Sequence, residues 1–152
     1  MKIIVDTNII ISSLINSKGK EIDIIFNPLY VFERYSCYFL TEEIIKHKEK
    51  ILKVSKLSEV DFLEVYFNIL KKINFINEEQ IPKEVWTKAL EITKNVDEDD
   101  TPFVALSLYL DAYLWTGDKK LIKGLKQKGF NKLISSNELL NTIKINTNTS
   151  LK

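Results

Sequence analysis

Val96-Asp97-Glu98-Asp99-Asp100-Thr101-Pro102-Phe103-Val104-Ala105-Leu106 decides how the rest of the chain is read. Four acids in a row open a helix, where carboxylates favour the free N–H groups of the first turn. An apolar run follows from Phe103 to Leu110. Then Ala112-Tyr113-Leu114-Trp115-Thr116-Gly117-Asp118 reads as a short buried strand ending in a loop with one more carboxylate. Acids placed where a helix begins and where a strand ends are acids placed at a site, because ligands of α/β sheets sit beyond the strands' carboxyl ends.

Working outward, the N-terminus supplies a second strand of the same kind. Ile3-Ile4-Val5 is β-branched without alternation, the mark of a central strand buried on both faces. Asp6-Thr7-Asn8 stops it, and Ile9 to Ile15 continue as a helix. Asn16-Ser17-Lys18-Gly19 is a loop, Glu21 to Phe26 a short amphipathic helix, and Asn27-Pro28 closes it. Tyr35 to Leu40 reads as another strand. Thr41 reads as the N-cap of a helix that starts Glu42-Glu43-Ile44-Ile45 and runs to about Val54. Ser58-Glu59-Val60-Asp61 has the form of a capping box, and the helix behind it carries Phe62, Val65, Tyr66, Ile69 and Leu70 at helical spacing. Asn74-Phe75-Ile76 is a short strand. Ile81-Pro82 opens a helix with Pro82 in its first turn.

Beyond Asp118, Lys119 to Lys128 is a helix, Lys132-Leu133-Ile134 a last strand, and Ser136-Asn137 caps a helix through Leu140. Residues 1–145 therefore read as one domain. Residues 146–152 are polar without an apolar period and are expected to be a loose tail. Strands alternating with helices on short connections predict a three-layer α/β/α domain with a mainly parallel sheet of about five strands. Asp6 directly follows one strand and Asp118 another, so both belong to the same sheet edge.

Bulk properties bound the function from outside. Lys plus Arg is 22 and Asp plus Glu is 21 in 152 residues, so the net charge of +1 points to no partner. Cys37 is the one cysteine, which excludes an intramolecular disulfide and a Cys-based zinc site and suits a reducing cytoplasm. The apolar N-terminal stretch is too short for a signal peptide, and no run approaches the roughly 18 residues of a membrane span.

Several carboxylates on one edge repel unless protons or cations intervene. Arg34, the one arginine, stands outside these motifs. Oxygen ligands without His or Cys suit Mg²⁺ or Mn²⁺.

Val5-Asp6-Thr7-Asn8 resembles the opening of the PIN-domain nucleases. Asp100-Thr101-Pro102-Phe103-Val104-Ala105-Leu106-Ser107 resembles their third acidic motif, and Thr116-Gly117-Asp118 their fourth, a Thr-x-Asp after a strand. Order and spacing fit from Met1 to about Leu140. The family's second acid is a Glu at the start of a helix, for which Glu42 and Glu43 compete. Glu43 is preferred because it directly precedes Ile44-Ile45. The resemblance implies a metal-dependent endoribonuclease in which Asp6, Glu43, Asp100 and Asp118 hold Mg²⁺ or Mn²⁺ and water attacks the RNA backbone in line. Asp97 and Asp99 compete with Asp100 for the third acid, and Asp100 is preferred for its spacing to Phe103-Val104-Ala105; Asp97 is a candidate outer ligand, while Glu98 and Asp99 favour the helix N-terminus. Thr7 and Asn8 would orient Asp6 or the metal's waters, and Thr116 would do likewise for Asp118. Many relatives are toxins of toxin–antitoxin modules, held by a small protein partner. The alternative is a PIN-like RNA-binding or assembly module without catalysis. A phosphoryl-accepting receiver domain also clusters Asp at strand ends, but it needs an isolated Lys at a later strand end, and none stands there.

Lys119, Lys120 and Lys123 lie beside Asp118 and are candidate phosphate contacts, against the plainer reading of a solvated helix face. His47 with Lys46, Lys48, Lys50 and Lys53 reads as another wet face. In the Ser58–Phe75 segment, Leu63 and Phe67 form a stripe beside the core stripe. A helix apolar over so much of its circumference predicts a covering partner, a second copy of the chain or an inhibitor protein.

Overall fold

A computed structural model of the chain describes residues 1–29 and 31–150. The strands are β1 (Lys2–Val5), β2 (Glu33–Cys37), β3 (Asn74–Ile76), β4 (Tyr113–Trp115) and β5 (Leu133–Ile134). They form one sheet in the order β3-β2-β1-β4-β5, and every neighbouring pair is parallel. β1 is central, as its unbroken β-branched run predicts. Ile3, Ile4 and Val5 have no exposed surface because both faces of the strand are covered.

The helices are α1 (Thr7–Ile15), α2 (Lys20–Ile25), α3 (Phe39–Lys46), α4 (Lys48–Ser55), α5 (Glu59–Leu70), α6 (Lys83–Thr93), α7 (Thr101–Leu110), α8 (Lys119–Gln127) and α9 (Ser136–Ser150). They make the outer two layers of an α/β/α sandwich. α7 lies across β1, β2 and β4, and α6 packs against it. Phe103, Val104, Ala105 and Leu106 are consequently all buried, and α7 has little polar face. α1 meets α2, α3, α4 and α5, and α2 meets α9. No helix among the described residues is long and apolar enough to cross a membrane.

Four local expectations are corrected. Thr41 does not cap a helix: α3 begins earlier, at Phe39, and Thr41 lies within it with Oγ1 donating to the Tyr38 carbonyl at 2.6 Å. The free N–H of Phe39 is met instead by Glu78 Oε1 at 2.6 Å, a cap from a distant residue that no local pattern announces. The single helix expected to Val54 is two, divided at His47 (φ −98°). Neither Pro nor Gly breaks it; the bend brings both Ile44 and Ile51 into the core while α4 packs along α1.

Pro82 is the residue before the first turn of α6 rather than in it. The last helix passes Leu140 and continues to Ser150, with Leu151 and Lys152 outside the described residues. There Asn146, Thr147, Thr149 and Ser150 each donate a side-chain hydrogen bond to the carbonyl four residues back. Polar side chains bonding to the preceding turn are compatible with a helix that buries nothing.

Candidate active site

Parallel pairing delivers the carboxyl ends of β1 and β4 side by side. Val5 stands opposite Trp115, and the Asp6 N–H extends the ladder to the Trp115 carbonyl at 3.2 Å. The residues that follow, Asp6 and Thr116, meet directly: Thr116 Oγ1 donates to Asp6 Oδ2 at 2.7 Å. The same hydroxyl accepts from the Asp118 N–H at 3.2 Å. One threonine therefore joins the acid after β1 to the loop that carries the acid after β4. Asp6 is almost wholly buried, at 1% exposed.

Glu43 comes from α3, just past β2. Thr7 Oγ1 donates to Glu43 Oε1 at 2.6 Å, so Thr7 holds the second acid rather than the first. Glu43 is half-buried in this contact, while Glu42 is exposed. Asp100 closes a 3-10 turn (Glu98–Asp100) that runs straight into α7. Asp97 starts that turn, and its Oδ1 accepts from the Asp99 N–H at 3.0 Å. Asp118 opens α8, where its Oδ1 accepts from the N–H groups of Lys120 (2.9 Å) and Leu121 (3.0 Å).

These acids feel one another. Asp100 is pushed up to about 8, first by burial and then by the charges of Asp6, Asp97, Glu43 and Asp118. Asp6 is raised to about 6, chiefly by burial; the Thr116 hydrogen bond opposes this and Glu43 adds to it. The N–H groups of Thr7 and Asn8 also oppose the rise, although neither completes a capping hydrogen bond to Asp6. Glu43 is raised by burial, with Thr7 and His47 opposing and Asp99 and Asp97 adding. Asp99, read from the sequence as a helix-favouring charge, is thus near enough to Glu43 for its charge to raise it. A run of four acids leaves no trace of that proximity.

The supporting residues divide. Thr7 and Thr116 touch carboxylates, and Asn8 is exposed on the rim of a cavity of about 220 Å³ between α1 and α4 that His47 and Lys50 also line. Lys119, Lys120 and Lys123 are exposed on α8 beside Asp118, whose helix buries Leu121 and Leu125 instead. The ion pairs among the described residues, Lys48–Glu59 and Lys132–Asp111, do not involve the carboxylate cluster. Arg34 is buried elsewhere, donating to the Ile24 carbonyl in the last turn of α2 at 2.7 Å.

The donor chemistry fits a hard divalent cation: several oxygen acids, two of them raised first by burial and then by the neighbouring carboxylates. Among the described residues no three acidic, His or Cys groups already stand close enough to clasp an ion. Like charges separate when nothing positive lies between them, so binding would draw the carboxylates inward.

A five-stranded parallel sheet with acids gathered beyond its central strands defines an α/β domain with a carboxylate-rich site. Residues 4–146 match the PIN-domain family model, and the chain belongs to that family. Two solved structures share the fold. VapBC2 from Rickettsia felis, bound to a DNA fragment from its promoter, superposes with a TM-score of 0.67 at 13% identity, over 89% of this chain and 98% of that one. VapBC-1 from nontypeable Haemophilus influenzae superposes with a TM-score of 0.62 at 15% identity, over 90% and 99%. No curated protein matches the chain.

Proposed function

We propose that this single-domain protein is a metal-dependent endoribonuclease of the cytoplasm, with Asp6, Glu43, Asp100 and Asp118 as its acids and Mg²⁺ or Mn²⁺ as its cofactor. The carrying observation is the meeting of the β1 and β4 ends, where Thr116 Oγ1 donates to Asp6 Oδ2 at 2.7 Å and accepts from the Asp118 N–H at 3.2 Å, beside an Asp100 raised first by burial and then by Asp6, Asp97, Glu43 and Asp118. Such a cluster costs the fold stability and is relieved by a cation. A bound divalent cation supplies two things, a more acidic water and charge stabilisation on the phosphate.

The side chains do the rest. Thr116 fixes Asp6 and, through the Asp118 N–H, the loop that follows β4. Thr7 fixes Glu43. Asp6 and Asp100, whose protonated forms are favoured first by burial, would hold the cation as carboxylates. Lys119, Lys120 and Lys123 lie where they would attract the phosphate backbone of RNA.

Likeness to the VapBC proteins supports reading the chain as the toxin of a toxin–antitoxin module, with a small antitoxin as partner. An exposed apolar strip on α5 supports a partner or a second copy: Val60 is 74% exposed and Phe67 54%. Beside it, Tyr38 stacks on Phe75 with ring centroids 5.6 Å apart.

The deciding experiment is RNA cleavage with and without Mn²⁺, on the wild type and Asp6→Asn. Cleavage that needs Mn²⁺ and disappears in Asp6→Asn is expected. RNA binding without cleavage under any divalent ion would overturn the catalytic reading in favour of a binding module. Sedimentation separates the covers: a dimer supports self-association, and a monomer at high concentration leaves an inhibitor protein or a fully intramolecular cover.

A further inference from the structure

We propose that Gly124 is a positioning residue of the carboxylate site: lacking a side chain, it lets α8 close onto Val96 and so sets how far Asp118 stands from Asp97 and Asp100. The inference rests on the metal-site reading above. Gly124 lies in the interior of α8, where glycine is a poor helix former. No turn explains it there; close approach does. A Cβ built on Gly124 would lie 2.4 Å from Val96 Cγ1, 3.1 Å from Cγ2 and 3.3 Å from Cβ. The two methyls of Val96 occupy the space a side chain would need. Valine is stiff at χ1, so no easy rotation clears that space.

Neither side of the contact can retreat freely. The Val96 and Asp97 N–H groups donate to the Thr93 carbonyl at 2.9 and 3.1 Å. Thr93 Oγ1 and Thr101 Oγ1 share a buried hydrogen bond of 2.7 Å, and Thr101 Oγ1 also reaches the Glu98 carbonyl at 2.6 Å. These bonds close the base of the acidic loop, which turns through a left-handed Asn95 (φ 61°). On the other side, α8 is fixed by buried Leu121 and Leu125 and capped by Asp118 itself. Displacement at Gly124 therefore passes to the gap between the start of α8 and the turn that bears Asp97 and Asp100. Val96 is thus the peg and Gly124 the socket that bring acids from two separate segments to one place.

The test compares the full chain with Gly124→Ala, Val96→Ala and the double variant. Melting is followed without metal, and Mn²⁺ affinity by calorimetry. Gly124→Ala is expected to melt no higher than the wild type, although alanine is the better helix former, and to weaken Mn²⁺ binding about tenfold or more, as loss of an outer support does. Val96→Ala in the same chain makes room and recovers most of both losses. A Gly124→Ala variant that melts higher and binds Mn²⁺ as the wild type does would overturn the assignment, as would a double variant no better than Gly124→Ala. If Gly124→Ala does not fold, the double variant decides: folded and binding Mn²⁺ supports the assignment, and unfolded overturns it. A wild type that binds Mn²⁺ but cleaves no RNA fails the nuclease reading alone. One that binds no Mn²⁺ removes the metal site and this inference together.

Discussion

Asp118 does two things at once. Its Oδ1 caps α8 through the N–H groups of Lys120 and Leu121, and its charge raises Asp100. Substitution separates the two roles. Asp118→Asn retains capping, because Asn caps about as well as Asp, whereas Asp118→Ala loses roughly 1 kcal/mol. Asn should therefore leave the melting temperature nearly unchanged while cleavage falls by orders of magnitude. Full cleavage by Asp118→Asn would reduce the residue to a cap. Thr7 offers a matching test. Thr7→Val keeps the shape but removes the donor to Glu43, at a cost of about 1–2 kcal/mol. It should raise the Mn²⁺ concentration needed for half-maximal cleavage, with Thr7→Ser close to wild type. An unchanged Mn²⁺ requirement in Thr7→Val would mean that Glu43 needs no such support. At this scale the sequence was a partial guide. Strand ends predict where Asp6 and Asp118 lie, because a parallel sheet leaves few choices. That Thr7 serves Glu43 depends on a contact between α1 and α3, and that Asp99 raises the same acid depends on where the turn before α7 lies; local pattern encodes neither.

Elements with strong patterns were legible, and those shaped by distant partners were not. The Ser58 cap of α5 was readable, since Ser58 Oγ accepts from the Asp61 N–H at 3.1 Å within four residues of sequence. The start of α3 was not, since its cap is Glu78, on the far side of β3. α6 shows how spacing overstates burial. Val85, Trp86, Ala89, Leu90 and Ile92 share helical spacing, yet Ala89 alone is fully buried and Leu90 is 49% exposed. α9 makes the same distinction along its length. Leu139 is fully buried in the part of the chain where α9 packs on α2, and the turns after Ile143 are exposed. Leu139→Ala should cost about 2–5 kcal/mol. Removing residues 146–152 should move the melting temperature by no more than a degree or two, since exposed helix ends contribute little. Thermal melts of both variants check this. A large loss on truncation would show that the last turns of α9 pack against something.

Taken whole, the molecule carries an excess of negative charge at one sheet edge that its other charges do not balance. The consequence is a pH dependence of definite sign. Asp6 and Asp100 have folded-state pKa values of about 6 and about 8, above the usual carboxylate range. Between the unfolded and folded values the native state holds more protons than the unfolded chain, so stability falls as pH rises. Their contribution is complete below about pH 4 and is lost as pH passes through about 6 and then about 8. One pKa unit is about 1.4 kcal/mol, so Asp6 alone makes the loss on the order of 3 kcal/mol. Glu138 is shifted the other way, by Ser135, but it is a surface group and offsets little. Metal-free protein should therefore melt at a lower temperature at pH 8.5 than at pH 5. Millimolar Mg²⁺ should reverse much of that at pH 8.5, where it meets bare carboxylates, and have little effect at pH 5, where it must displace protons. Asp100→Asn removes the group with the largest rise. Without metal it should be more stable than wild type at pH 8.5, no more stable at pH 5, and less responsive to Mg²⁺. The same acids would then destabilise the empty site and bind the cation, so stability and activity at this edge would be opposed. A melting temperature that rises from pH 5 to 8.5, or an Asp100→Asn variant with the wild-type slope, would show that the cluster does not carry this charge.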